Sequence, residues 1–445
     1  MNATAKTTEV RPMTHPAPIH ATLDDWIAHE ALPFSVDLPE TLHAAADKTI
    51  ASPGDSVELL GFGEALHSGE DILILRNRLF ERLVAAHGYS AIAIESSFPM
   101  AQVVNEYVAG RGPASYEAVQ DAGFGQGFGR LEANRELVEW MRRYNADPSH
   151  RVKLRFYGFD IPTGPITGPA SPRQVLEFVL DYLASLESAS GQERYQRIQS
   201  LLGLDSEWEH TAALADPTQS LGLSPAATSL RIETEDLITE LRTRGPELVA
   251  RSDASQYSEA LQYATMARQL LNFHAAIARK SGPADLLGIR DASMADNLAF
   301  IVARERGRGK VLAFAHNRHV QRGQARWAAG MDVYTWWPAG SHLDQWFGTR
   351  YAVIGTGVGV SEANGIAQPE AGSLEARLTA LRSSAVFIPT HKGQGLSASE
   401  IAALPIRSGS MKNPTYFALS SESFTDFDYL AVFDSTGYAR GGWPL

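Results

Sequence analysis

The chain has 445 residues, 51 Asp and Glu against 39 Lys and Arg for a formal net charge of −12, and no cysteine. The acidic balance repels phosphate backbones and offers no anchor to anionic lipid, which argues against nucleic-acid and membrane-surface partners. The missing thiols remove disulfides, thiolate nucleophiles and Cys-ligated zinc. Apolar residues make up 44 % of the chain, enough for one large domain with an insertion or for two domains.

In chain order, residues 1–20 read as a disordered arm, polar and proline-bearing, without the apolar segment of a secretory signal. No apolar run approaches the ~20 residues that span a bilayer, so a cytoplasmic protein is expected. "VELLGF" (57–62) reads as a strand, followed by a helix near 70–87 that Gly88 can end as a left-handed residue. "YSAIAIES" (89–96) is the next strand, and Pro99 and Gly110 bracket the helix after it. "GFGQGFG" (123–129) reads as a mobile glycine-rich loop, and "NRELVEWMRRYN" as an amphipathic helix before the strand "VKLRFYGF" (152–159). From 171 to 284 no strand pattern occurs. Ser171-Pro172 suits an N-cap and first helical position, and apolar residues recur at three and four, so this block is predicted to be an all-helical insertion. Alternation then resumes with the helix "MADNLAFIVARER", the strand "KVLAFA" (310–315) and later strand candidates "YAVIGTGVG", "SAVFIPT" and "YLAVFDS". Strands separated by helices predict an α/β protein: a largely parallel sheet flanked by helices, its core built from 21–170 and 285–445.

In a parallel sheet the C-terminal strand ends share one edge, where ligands bind. The four earlier strands end in Gly63-Glu64 followed by His67, in Glu95-Ser96-Ser97, in Asp160, and in His316-Asn317-Arg318-His319. Each residue alone has a plain structural reading: Glu64 as a cap or solvated loop residue, Asp160 as a turn former, His319 as a helix-start residue, His67 as a hydrogen-bonded structural histidine. Glu95 is harder to explain so, because a carboxylate at the end of "AIAIE" must leave a buried strand and needs a partner there. Carboxylates and imidazoles converging on one rim suit acid–base chemistry. The Glu64-x-x-His67 spacing is shared by Glu40/His43 and Glu207/His210, so it does not by itself mark a metal site, and His316 and His319 as added ligands stay a lesser alternative. GxSxG, HExxH, Walker and intact GxGxxG motifs are all missing.

"GFGEALHSGED…LRNRLFERLV" followed by "AIAIESSFPMAQVVNEYVAG", with "FYGFDI", "LGIRDASMADNL" and "VLAFAHNRHV", resembles the erythromycin esterase family over roughly residues 22–360. The resemblance implies an α/β core with a helical insertion and metal-independent ester hydrolysis, for some members of macrolide lactones. It places the family's Glu-x-x-His turn on Glu64 and His67, its helix arginine on Arg76, its strand-end glutamate on Glu95, its second arginine on Arg290 and the histidine of its "AHN" turn on His316. Leu66 and Ser68 stand where the family usually has a small or hydroxyl residue and a glycine, and a family tryptophan is replaced near Leu131.

With neither a serine elbow nor a cysteine, direct attack by water is the economical route. Neutral His67 would take the proton, Glu64 and Glu95 would orient imidazole or water, Arg76 would point back at the crevice, and Arg290 and His316 would donate to the developing oxyanion. His319, Asp160 and the aromatic pair Trp336 and Trp337 would line the site of a bulky lactone or ester. No cofactor and no metal is called for, and the oligomeric state is left open. Two alternatives stand beside hydrolysis: a natural-product tailoring enzyme performing cyclisation, elimination or acyl transfer on the same scaffold, and a non-catalytic binder of metal or haem.

Overall fold

The computed structural model describes residues 22–51, 56–162, 168–186 and 191–442; the N-terminal arm expected over 1–20 lies outside them. Among the described residues ten strands occur in the order β1 (Leu32–Phe34), β2 (Leu59–Glu64), β3 (Tyr89–Ser97), β4 (Arg155–Asp160), β5 (Lys310–His316), β6 (Ala325–Ala329), β7 (Asp332–Trp336), β8 (Tyr351–Val360), β9 (Ala385–Pro389) and β10 (Tyr429–Ser435). Eight of them form one sheet, ordered β1-β9-β10-β8-β2-β5-β3-β4. Strands β10 through β4 run parallel, and β9 is antiparallel to both of its neighbours. β6 and β7 form a separate antiparallel hairpin. The seven strands read from apolar runs are all present. β1 and the hairpin were not foreseen: β1 has three residues, one of them proline, and the hairpin strands mix Arg, Asp and Thr with their apolar residues.

Alternate residues of the parallel strands face opposite sides of the sheet and feed two apolar cores. Leu59, Ala91, Ala93, Val311, Ala313 and Val353 join one. Leu60, Phe62, Ile92, Ile94, Leu312 and Phe314 join the other, with Leu75 and Leu79 of the helix Glu70–Ala86 and Val138 of the helix Glu132–Ala146. The described residues between Ser171 and Gly282 hold helices and no strand, and these helices contribute Leu176, Leu237 and Leu271 to the first core. The first of them begins at Arg173, whose N–H bonds Ser171 Oγ (3.3 Å), so Pro172 precedes the helix rather than opening it.

Two irregularities open the sheet at its C-terminal edge. The β3–β4 register shifts between Ile94 and Ser97, a bulge of the kind that re-aims a side chain, here at Glu95. Gly158 on β4 makes room for it, since a Cβ there would lie 2.4 Å from Ser96 O and 2.6 Å from Ser97 O. Pairing of β2 with β8 stops at Phe62–Ile354. Beyond that point Asn317 fills the gap, donating from Nδ2 to Thr356 O (2.8 Å) and accepting from Thr356 N (3.1 Å), so one side-chain amide replaces a rung of the sheet.

The glycine-rich stretch expected to be a mobile loop is instead a 3₁₀ turn, Gly125–Arg130, tied down at three points. Gly125 N donates to Ser96 Oγ (3.1 Å), Asn134 Nδ2 to Phe128 O (2.8 Å) and Tyr116 OH to Gly129 O (2.7 Å).

Candidate active site

Strands β2, β5, β3 and β4 are consecutive in the sheet, so the four polar strand ends read from the sequence are spatial neighbours. Glu64 pairs in register with His316, and Ser97 with Asp160. The chain turns sharply after β2, and Ser68 takes a left-handed φ of 68°. This brings His67 back over its own strand. His67 Nδ1 lies 2.6 Å from Glu64 Oε1; a carboxylate only accepts, so Nδ1 carries the proton. Nε2 has no partner among the described residues, and the side chain is 24 % exposed. Burial disfavours the imidazolium, but the Glu64 carboxylate outweighs it and raises His67 above its ordinary value.

Next to this dyad lies a buried charge network. Arg290, on the helix Pro283–Glu305, gives Nε and Nη2 to Asp160 (2.9 and 2.6 Å) and Nη2 also to Glu95 Oε1 (2.9 Å). Glu95 Oε2 accepts the backbone N–H of His316 (2.9 Å). His319 sits between two carboxylates, with Nδ1 2.8 Å from Asp291 Oδ1 and Nε2 3.3 Å from Glu95 Oε1. Burial works against its charge, but Asp291 and Glu95 prevail and push it up to about 10. Burial likewise opposes the Glu95 carboxylate, and His319 and Arg290 nevertheless hold it well below the usual range. Asp291 also accepts from Trp336 Nε1 (2.8 Å) and Ala339 N (2.9 Å).

His316 is differently employed. Its Nε2 donates to the carbonyl of Thr415 (2.7 Å), and its Nδ1 accepts from Arg318 N (3.1 Å). Burial, then Arg318 and the two neighbouring imidazoles, pull it well below its ordinary value, so it is neutral in one tautomer. Both ring nitrogens are occupied, which leaves no free donor for the oxyanion role expected of it. Arg290 has only Nη1 not bonded to a carboxylate, so it too departs from the expected oxyanion donor. Arg76, by contrast, has no carboxylate partner among the described residues. It is 1 % exposed, bonds Asn77 Oδ1 through Nε and Nη2 (3.0 and 2.7 Å), and stacks 4.7 Å from the centre of the Phe314 ring. Burial lowers it to about 10, so it stays charged at neutral pH.

Arg76, Glu64, Ser68 and Glu95 face a cavity of about 20 Å³, closed by Leu73, Ile94, Phe128, Leu131, Asn134 and Phe314. That volume holds about one water molecule. His319 and Asp160, expected to line the substrate site, are engaged with Asp291, Glu95 and Arg290 and do not border this cavity. The expected aromatic wall is absent from it as well: Trp336 is buried on Asp291, and Trp337 is 58 % exposed on the surface. The sequence reads this stretch as a late loop and does not say which way each indole points. Missed from the sequence were Asp291, beside Arg290 in a stretch already singled out, Asn317 of "HNRH", and Asn413 and Thr415, which lie in a loop with no pattern to mark them. Among the described residues no group of three or more His, Asp or Glu stands in metal-ligating geometry.

The profile of the erythromycin esterase family matches residues 84–436. The chain belongs to that family. This makes it an enzyme of the carboxylic ester hydrolase kind. A curated relative, erythromycin esterase type II of Escherichia coli, is 20 % identical over 339 residues, 75 % of this chain and 76 % of that protein. Among solved structures, a Bacillus cereus protein superposes with a TM-score of 0.73 at 19 % identity, covering 94 % of this chain and 98 % of that one. A mutant of the erythromycin esterase EreC in its open conformation superposes with a TM-score of 0.66 at 16 % identity, covering 90 % and 97 %. The family's fold is thus present over nearly the whole chain. Of the residues carried over by resemblance, Glu64, His67, Arg76 and Glu95 gather at one cavity and its edge, with Arg290 and His316 behind them.

Proposed function

We propose that this family member hydrolyses an ester or lactone of a bulky natural product by direct attack of water, with His67 as the general base. The observation that carries this is the Glu64–His67 dyad: Nδ1–H is held by a carboxylate and Nε2 has no partner among the described residues. A neutral imidazole so held has its lone pair on Nε2, and the carboxylate favours the imidazolium that forms. Water gives its proton to Nε2 as its oxygen bonds the carbonyl carbon. The ester C–O bond then breaks, and the leaving alkoxide takes the proton back from His67, giving acid and alcohol. Arg76 is the donor to the carbonyl oxygen as charge develops there; loss of such a donor typically costs about 100- to 1000-fold in rate. Arg290, His319, Asp160 and Asp291 position Glu95, whose carboxylate helps to orient the water.

A bulky substrate does not fit a cavity of about 20 Å³, so the site has to open before it binds. The open conformation named for the EreC structure supports such a motion in this fold. Macrolides and other lactones, offered with mass detection, are expected to yield a product heavier by one water. In heavy-oxygen water the acid product is expected to carry label after a single turnover. Unlabelled acid in the first turnover would mean a covalent intermediate in which an enzyme carboxylate supplies the oxygen, and a product without the added mass would favour the tailoring reaction.

A further inference from the structure

We propose that Thr415 is a positioning residue for the His67 imidazole, acting through its side-chain hydroxyl on the backbone of the turn that carries the base. This rests on the reading of His67 as base, and extends it to a loop 348 positions away.

His67 N donates to Thr415 Oγ1 (3.0 Å), and His67 O accepts from Asn413 Nδ2 (3.1 Å). The Thr415 hydroxyl proton goes to Asn413 Oδ1 (2.6 Å), so its oxygen lone pair is turned to His67. The carbonyl of the same threonine accepts from His316 Nε2 (2.7 Å) and from Arg318 Nη1 (2.9 Å). One residue therefore grips both histidines, whose ring centres are 5.2 Å apart. The turn needs a grip from outside. Ser68, directly after the base, holds a left-handed φ of 68°, a conformation an L-residue keeps only when its surroundings over-determine it. The gripping loop is itself fixed. Arg407 Nη1 bonds Val358 O (2.6 Å) and Tyr416 OH (3.0 Å), and its Nη2 bonds Ala367 O (2.7 Å). Glu375 Oε1 accepts Leu419 N (2.8 Å) from the far side of the loop. Released from Thr415, the turn can relax and carry the ring away from Glu64.

The ring of His67 is faced by Glu64 on β2, Glu95 on β3, His316 on β5, His319 just after β5 and the uncharged Phe128, so its titration reports its place among them. The test compares Thr415→Val and Thr415→Ala, which remove the hydroxyl, with Thr415→Ser, which keeps it. Titration of carbon-13-labelled histidine by NMR, with the His67 signal assigned from His67→Gln, needs no substrate and so reads independently of whether the chain hydrolyses the lactones offered. In the Val and Ala variants the His67 midpoint is expected to fall toward the ordinary 6.5 while the protein melts cooperatively. Their kcat/KM on a turned-over ester is expected to fall about 100-fold, the scale of an ångström-sized misplacement, with the acid limb moved to lower pH. Thr415→Ser is expected to match the parent in both. An unchanged His67 midpoint in both hydroxyl-free variants would overturn the proposal. So would a serine variant as impaired as the valine one, or loss of the cooperative melt in both Val and Ala, either of which makes Thr415 purely structural. A shifted midpoint with His67→Gln still fully active would leave the positioning intact and remove the base.

Discussion

His67 and His316 lie with ring centres 5.2 Å apart and use their nitrogens in opposite ways. A carboxylate on Nδ1 raises His67, whereas burial and the nearby Arg318 charge keep His316 neutral, with its nitrogens on a backbone carbonyl and a backbone N–H. Replacing Glu64 by Gln removes the charge but keeps an acceptor. His67 then titrates lower, so the acid limb of kcat/KM is expected to move to lower pH as kcat falls, which a pH–rate profile measures. His67→Ala is expected to abolish turnover while circular dichroism shows the fold intact; near-normal rates would make this histidine structural. Ser68 occupies, at a φ of 68°, a position where the resemblance led us to expect glycine. Ser68→Gly is expected to stabilise the protein by roughly 1 kcal/mol, read as a higher denaturation midpoint, because glycine meets no side-chain penalty there.

At the scale of elements, the crevice exists because neighbouring strands stop pairing before they end. Asn317 spans the gap between β2 and β8, and Gly63 lets it approach: a Cβ there would lie 2.2 Å from Asn317 Oδ1. Gly63→Ala is expected to destabilise by about 1–3 kcal/mol, the usual cost of overpacking, in a urea melt. Because Asn317 adjoins His316, the same change is expected to lower activity beyond its effect on the folded fraction. The parallel strands were legible from β-branched apolar runs, and their polar ends from single residues such as Glu95. The bulge at Glu95 and the splaying of β2 from β8 were not, since each depends on a contact with a residue from another strand or turn: Gly158 for one, Asn317 for the other. The 3₁₀ turn carrying Phe128 looks like a loop in the sequence because its order comes from Ser96, Asn134 and Tyr116, not from its own glycines.

The whole molecule concentrates buried charge where four strands and one long helix meet. His319, raised to about 10 between Asp291 and Glu95, links that cluster to stability. A raised imidazole contributes stabilisation that is complete below its unfolded value near 6.5 and is lost as pH rises through 10. Thermal midpoints are therefore expected to fall between pH 7 and 10, and to fall less steeply in His319→Gln, where this proton is missing. Parallel slopes for the two proteins would show that His319 is not charged in the folded state. Among the described residues no helix is long and apolar enough to cross a membrane.

By itself the sequence determined the parallel α/β frame, the helical block between its halves and the rim on which Glu64, Glu95, Asp160 and His316 meet, because strand period, helix spacing and the polar residue ending each apolar run are local properties of the chain. Only the tertiary structure decided what each of these groups does. It left Arg76 without a carboxylate partner among the described residues and tied up Arg290 and His316, turned Trp336 onto Asp291 and Trp337 to the surface, and brought Thr415 to the backbone of His67. A side chain's charge and spare hydrogen bonds are set by the partners that packing delivers, and those partners come from distant parts of the chain.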